Sequence, residues 1–320
     1  MAETEGKGGG VRRLLQVGVT AAAVVLIARV VDLRATATIL GAAHVGWVVL
    51  AVWMYVVGQF MSAFRWWLIG RSVGLGGRIT DYVRYYFIGM FFMSFGPSTL
   101  GGDFVRGLYL AEGGGRRGRA FNSVLFDRLN GLVVLVAIGA AAFLVFPRYR
   151  TLAPEFSIMF WITVAFGSAL LAGWLLAPWL VRVLLPPDHR IRHFVEVDLG
   201  PFWTDRRMLL AASAVSFAFH LVQIAAQWVV SRAIGVEVPL SYIAVYHPLV
   251  SAVASIPVTF SGIGLREGGY LYFLTKLGVD QPSAVAYGVL WLFVIVTNSL
   301  IGGVVFLASG ARLPALRDAE

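Results

Sequence analysis

The chain has 320 residues, of which 58% are hydrophobic and only 13% charged. A soluble globule of that size cannot hide so much apolar surface, so the medium it is built for is lipid. The absence of cysteine excludes disulfides, thiolate metal sites and thiol catalysis. The net charge of +9 fits basic loops against anionic headgroups better than a nucleic-acid footprint.

In chain order, residues 1–12 form a polar N-terminus, 13–310 a single transmembrane domain and 311–320 a tail. Apolar runs at 14–31, 46–69, 122–146, 158–180, 208–234 and 284–308 are each long enough to cross a hydrocarbon core about 30 Å thick. The first exceeds the apolar core of a signal peptide and reads as an uncleaved span. The short alternating segments of a transmembrane barrel are absent. Two further apolar pieces, at 80–96 and 241–260, are interrupted.

Charge decides how those two pieces are read. If all eight apolar segments crossed fully, Arg71, Arg78 and Arg84 would face the opposite side from Arg116, Arg117 and Arg119. If 80–112 enters and leaves by one face, these six arginines share that face with Arg12 and Arg13, and the positive-inside rule makes it cytoplasmic. The fold class expected is therefore an all-α polytopic membrane protein of six full spans plus two re-entrant hairpins, about 80–112 and 241–278. Both termini are then cytoplasmic, in the cell membrane. Arg148 and Arg150 are the exception, falling in a short outer loop.

The interruptions read "PSTLGGDFVR" from Pro97 and "PVTFSGIGLREGG" from Pro257. Both contain P-x-T-x-x-G-x-x-x-R, pairing Pro97, Thr99, Gly102 and Arg106 with Pro257, Thr259, Gly262 and Arg266. Together with the opposed faces of the hairpins, this suggests a pseudo-two-fold inverted repeat. Proline removes an amide hydrogen, and glycines such as Gly101, Gly102, Gly262 and Gly264 admit backbone angles closed to other residues. Broken helices in inverted halves point to a substrate site near mid-bilayer.

Asp103, Arg106, Arg266 and Glu267 flank the breaks, and ionisable groups at membrane depth are functional candidates by default. The arginines and the helix N-termini beside them suit a lipid phosphate; the alternative is that each acid merely neutralises its neighbouring arginine. Asp127 and Arg128 read either as a headgroup contact or gate, or as an ion pair at the membrane boundary. Arg65, beside Trp66 and Trp67, reads as an interfacial anchor. His220, Gln223 and Gln227 share one helical face and either line a cavity or bond neighbouring helices; His247 and Asn298 carry the same two readings.

The glycine-rich basic loop from Glu112 to Arg119 suits anionic lipid surfaces. His189 and His193 lack a third ligand for zinc, and "GKGGG" lacks the spacing of a phosphate-binding P-loop. No metal and no cofactor is expected.

The strings "GPSTLGGDFVRGLYL" (96–110), "LFDRLNGL" (125–132) and "GIGLREGGY" (262–270) resemble the membrane region of lysylphosphatidylglycerol synthases and their flippase-like stand-alone relatives. The resemblance implies a bundle that moves lipids between leaflets, with motif positions Gly101, Gly102, Asp103, Arg106, Asp127, Arg128, Gly264, Arg266 and Glu267. The soluble aminoacyl-transfer domain of the synthases is not found before Glu320, so synthase activity is not expected. The leading expectation is a flippase-like transporter of an anionic or aminoacylated phospholipid or a polyprenyl-linked lipid. A membrane-embedded transferase using Asp103 or Glu267 as base, and an accessory subunit of a lipid or glycan synthesis complex, are the alternatives. The partners expected are anionic membrane lipids and not nucleic acid, with a homo-oligomer or a synthesis-complex partner left open.

Overall fold

The structure, a computed structural model, describes residues 3–95, 101–112, 117–256, 258–259 and 262–313, with side chains from Val17 onward. Pro97, Thr99 and Pro257, on which the paired breaks were partly built, lie outside the described residues. All regular structure among the described residues is helical.

The chain opens with α1 (Glu3–Val30) and α2 (Leu33–Gly41), followed by α3 (Val45–Ser72), α4 (Ile79–Phe95), α5 (Gly101–Glu112) and α6 (Arg117–Val145). A 3₁₀ turn (Pro147–Thr151) leads to α7 (Pro154–Leu184), after which α8 (Arg190–His193), a π-helical turn (Phe194–Leu199) and α9 (Gly200–Thr204) form a connector. The last part comprises α10 (Arg206–Ala233), α11 (Leu240–Ala254), α12 (Leu265–Lys276) and α13 (Gln281–Ala308).

Five helices among the described residues, α3, α6, α7, α10 and α13, are long and apolar enough to cross a membrane. The sixth expected span, 14–31, falls in α1, whose apolar described part is Val17–Val30, about 21 Å of helix at 1.5 Å per residue. The protein is thus an all-α polytopic membrane protein, in which five helices among the described residues meet the length criterion. The two interrupted segments are helix pairs, α4 with α5 and α11 with α12, each packed together.

The helices carry their apolar side chains outward. On α3, Val49, Trp53, Val57, Phe60 and Phe64 are exposed, while Gln59, Ser62, Arg65 and Trp66 are buried. That reverses the amphipathicity of a soluble helix, as expected where lipid is the solvent. Along α7 the exposed residues Ile158, Trp161, Ile162, Phe166, Leu175 and Trp179 continue this apolar surface.

Three close approaches set the packing inside. A Cβ on Gly102 of α5 would fall within contact of the Gly89 carbonyl oxygen of α4. One on Gly302 of α13 would strike the Phe87 carbonyl oxygen of α4, and one on Gly139 of α6 would come 2.9 Å from Pro248 Cβ of α11. Small residues of this kind let helix backbones meet where no hydrophobic force drives association. α3 and α10 pack along one another and end in similar turns, with Leu75 N–H donating to Gly70 O (3.0 Å) and Val236 N–H to Ser231 O (2.9 Å). Gly74 (φ 75°) and Gly235 (φ 72°) supply the left-handed residue that such a cap requires.

Local electrostatics explain the exceptions to the charge pattern. Arg150 donates from Nε (3.1 Å) and Nη2 (2.9 Å) to Phe143 O in the last turn of α6, where a cation answers the helix dipole. Arg148 donates to Ser241 Oγ at 2.9 Å. Both arginines thus have partners within the protein. Asp280 accepts from Ser283 N–H at 3.0 Å ahead of α13, and that bond holds its carboxyl below the ordinary aspartate range.

Gly102→Val destabilises the protein by about 2–3 kcal/mol through overpacking, read as denaturant unfolding in detergent, whereas Gly173→Ala, with open space at its Cβ, does not. Asp280→Ala costs about 1 kcal/mol through loss of the cap. Because the folded-state pKa of Asp280 is depressed, its contribution is present at neutral pH and is lost as pH falls through that lowered value.

Candidate functional site: a buried arginine–aspartate chain beside a two-lobed cleft

Asp127 and Asn130 lie three residues apart on α6 and so share a face. Asp127 Oδ1 accepts from Arg65 Nε of α3 at 2.7 Å, and its Oδ2 from Arg106 Nη1 of α5 at 3.0 Å. Arg65 also donates to Ser216 Oγ of α10 at 2.8 Å; Ser216 donates to Asn130 Oδ1 at 2.8 Å, and Asn130 Nδ2 to Ser213 Oγ at 2.9 Å. Gly131 completes the face, since a Cβ there would lie 3.2 Å from Arg65 Nη1.

Arg65 is therefore not the interfacial anchor its tryptophan neighbours suggested. It is 5% exposed, on the same helical face as Ser62 and Ile69 and turned away from exposed Phe64. The helical period, not the adjacent aromatics, decides where it points.

Asp103, in the first turn of α5, extends the chain of charges. Arg106 reaches Asp103 Oδ1 from Nη2 at 3.1 Å and from Nε at 3.2 Å. Arg128 Nε pairs with Asp103 Oδ2. The order is Arg65, Asp127, Arg106, Asp103, Arg128, each acid between two bases. The Arg106 guanidinium also lies 5.0 Å from the ring centre of Trp66 and 5.1 Å from that of Tyr86, a favourable position over aromatic faces. Asp127 and Arg128 do not form the boundary ion pair considered from the sequence. Consecutive helical residues point about 100° apart, and these two take different partners.

The second break is built differently. Glu267 Oε2 accepts from Gly264 N–H at 2.6 Å and so caps α12, while Gly264 (φ 87°) holds a left-handed turn whose Cβ position is 2.6 Å from Ala23 Cβ of α1. Gly262 (φ 76°) places its Cβ position 3.1 Å from Arg266 Nη2, so a side chain there would crowd the guanidinium. Asp103 lies near the described start of α5 and Glu267 in the first turn of α12.

Other candidates separate into two groups. Gln227 bonds His247 Nδ1 (2.8 Å) and Tyr270 OH (2.8 Å) and accepts from Tyr287 OH (3.1 Å), so it joins helices in the core. Asn298 donates to Val294 O of its own helix at 2.9 Å and is buried. Neither lines the cleft described next. His189 accepts from Ile191 N–H at 3.2 Å as a helix cap, and no group of metal-ligating residues occurs among the described residues.

Two adjoining hollows, of about 290 and 520 Å³, share walls at Tyr86, Met90, Arg128, Phe219 and Ser251. The larger is lined by Arg65, Asp103, Arg106, Asp127, Arg128, His220 and Ser62, among others. The smaller takes in Arg266, Gln59, Gln223, His247, Tyr55 and Trp291. His220 Nε2 lies 3.1 Å from Gly131 O. Ser62 Oγ, His220 Nδ1 and Gln223 Oε1 are buried with no hydrogen-bond partner among the described residues. Along the described walls, four arginines face two aspartates, a cationic excess within an apolar bundle. Ser62, Gln59 and Tyr86 were not singled out from the sequence; the polar face of α3, at three-residue steps through Gln59, Ser62 and Arg65, was the available signal.

Five long apolar helices, four of which wall a charged interior cleft, define a polytopic membrane protein with ionic groups in its interior. The chain belongs to the family described as the lysylphosphatidylglycerol synthase TM region, whose model matches residues 13–302. It is also 24% identical over 300 residues to a UPF0104 membrane protein of Methanothermobacter thermautotrophicus, an alignment covering 82% of this chain and 88% of that one.

The ion chain makes Arg106 a structural residue. Arg106→Ala leaves Asp103 and Asp127 short of a cation and costs about 3–5 kcal/mol, read by denaturant unfolding in detergent. Adding Asp103→Asn to that variant recovers part of the loss, and purely additive effects would show that the two side chains are not coupled.

Proposed function

We propose that the protein carries lipids with anionic headgroups between the leaflets of the cell membrane, the headgroup travelling through the two-lobed cleft while the tails stay in the bilayer. The observation that carries this reading is the excess of arginine over carboxylate on the cleft walls. Charge at depth is costly and is kept where it meets a substrate or ion, and guanidinium forks match phosphate oxygens. Arg128, with a 35% exposed side chain, borders both lobes and is placed to exchange Asp103 for a phosphate. Arg266 provides the second contact in the smaller lobe. Arg106, engaged by two carboxylates, holds the frame as much as the ligand. An apolar hollow of about 430 Å³ lined by Val133, Ala137, Leu171, Leu175, Leu210 and Phe217 offers a place for acyl chains beside α6.

The reading includes an inverted repeat, α3 to α6 against α10 to α13, with the two helix pairs as re-entrant hairpins and both termini cytoplasmic. Exchange of the halves carries the α4–α13 contact onto α11–α6, and α3–α10 onto itself; all these helix pairs are packed. It also carries the approach of Gly302 to Phe87 onto that of Gly139 to Pro248, and the Gly74 turn onto the Gly235 turn. The sequence contains no nucleotide-hydrolysing motif, so movement is downhill or coupled to an ion gradient or membrane potential.

In proteoliposomes with acyl-labelled phosphatidylglycerol, Arg128→Gln and Arg266→Gln each slow leaflet exchange by about tenfold or more, the worth of a hydrogen bond to a charged group, while the variants elute from gel filtration as the parent does. Exchange at the parental rate in both would sink the proposal. Removal of the glycerol moiety from the labelled phosphatidylglycerol, or its transfer to another lipid, during the same incubation would favour the transferase reading instead.

A further inference from the structure

We infer that the smaller lobe of the cleft selects a hydroxyl-bearing, uncharged headgroup portion attached to the phosphate: a glycerol or a sugar, and not an aminoacyl or other cationic group. This rests on the proposed lipid-carrying role of the same cleft and names its substrate class.

The two lobes differ in chemistry. The larger holds the ion chain; the smaller holds Arg266 together with Gln59, Gln223, His247, Ser251 and Ser255, and no carboxylate lines it among the described residues. The segments flanking the breaks, 96–100 and 257–261, contain no Asp or Glu either. The acids of the larger lobe are already committed, Asp103 to Arg106 and Arg128, and Asp127 to Arg65 and Arg106. A lysyl or alanyl ammonium entering the smaller lobe would meet the Arg266 guanidinium, and an Arg128 already paired with Asp103, with no carboxylate on the described walls of that lobe to answer it. The rings of Tyr55 and Trp291, 5.7 Å apart and edge-to-face, would attract a cation only in the face of the Arg266 charge.

A polyol fits what is there. Gln223, 6% exposed, has its Oε1 without a partner among the described residues, a buried acceptor that needs an O–H or N–H donor. Ser62, 1% exposed, presents an unpartnered Oγ from the adjoining lobe. A hydroxyl both donates and accepts, so neighbouring hydroxyls on one headgroup can satisfy amide, serine and imidazole groups together. A site built to hydrogen-bond hydroxyls rejects the analogue that lacks them, because its buried polar atoms are then left unpaired.

The test compares lipids of one phosphate chemistry. The full chain in detergent is offered, by competitive native mass spectrometry, phosphatidylglycerol, lysyl-phosphatidylglycerol, phosphatidylethanol and farnesyl-phosphoryl-glucose. Expected is retention of phosphatidylglycerol or the phosphoglucose about tenfold over both the lysyl and the ethyl lipid, and loss of the preference over phosphatidylethanol in Gln223→Leu. Which of the two polyols leads tells a glycerophospholipid from a prenyl-linked sugar. Equal retention of the lysyl or ethyl lipid by the parental chain, which needs no variant to fold, overturns the inference, as does a preference that survives Gln223→Leu. If the preference holds but no lipid exchanges in proteoliposomes, the headgroup assignment stands and the transport reading falls. If lipids exchange without headgroup preference, the assignment alone falls.

Discussion

Asp127, 1% exposed and held by Arg65 and Arg106, is the point on which the interior depends. A carboxylate buried in an apolar bundle is tolerable only if cations and hydrogen bonds replace the water it has lost. Meeting that demand brings together α3, α5 and α6, and through Ser216 and Asn130 also α10. The glycine contacts have the same consequence. With Gly102 against Gly89 and Gly131 beneath the Arg65 guanidinium, backbones come close enough for short side chains and guanidinium forks to meet.

That arrangement also explains why polar groups can line a hollow inside a protein whose outer surface is apolar. Arg65, Asp127 and Arg106 answer one another's charges, whereas Arg128 and Arg266 sit at the walls of the cleft with part of their surface open. The division is between charge buried among the helices and charge that borders the cleft, where Arg128 is still paired with Asp103. The aromatic residues Trp66 and Tyr86 take part in both, flanking Arg106 while Tyr86 forms part of the wall shared by the two lobes.

Much of this was legible in the residues. Apolar runs longer than a bilayer is thick marked α3, α6, α7, α10 and α13, because helix length in lipid is set by a fixed thickness. The glycines at 101–102 and 262–264 marked the starts of α5 and α12, because backbone freedom is a property of the residue itself. Asp103, Arg106, Asp127 and Arg128 stood out by their cost in lipid. Their pairing did not. Neighbours in sequence suggested Asp127 with Arg128, yet Asp127 pairs with Arg65 of α3 and Arg106 of α5, and Arg128 with Asp103 of α5. Arg65 was misjudged from its tryptophan neighbours. Gln227 and Asn298 shared their polarity with Gln223 but went to the core, where they bond to helices.

The sequence by itself determined the medium, the helical class and the inventory of buried charge, since these follow from composition, from run length and from what each residue type costs in lipid. It also singled out the family-like motif strings, which the match over residues 13–302 places in the lysylphosphatidylglycerol synthase TM region family. Only the tertiary structure decided which acid meets which base, which polar groups are satisfied and which face the cleft. Those outcomes depend on helix phase and on distances between segments as far apart as Arg65 and Ser216, and no local pattern encodes a contact across that separation.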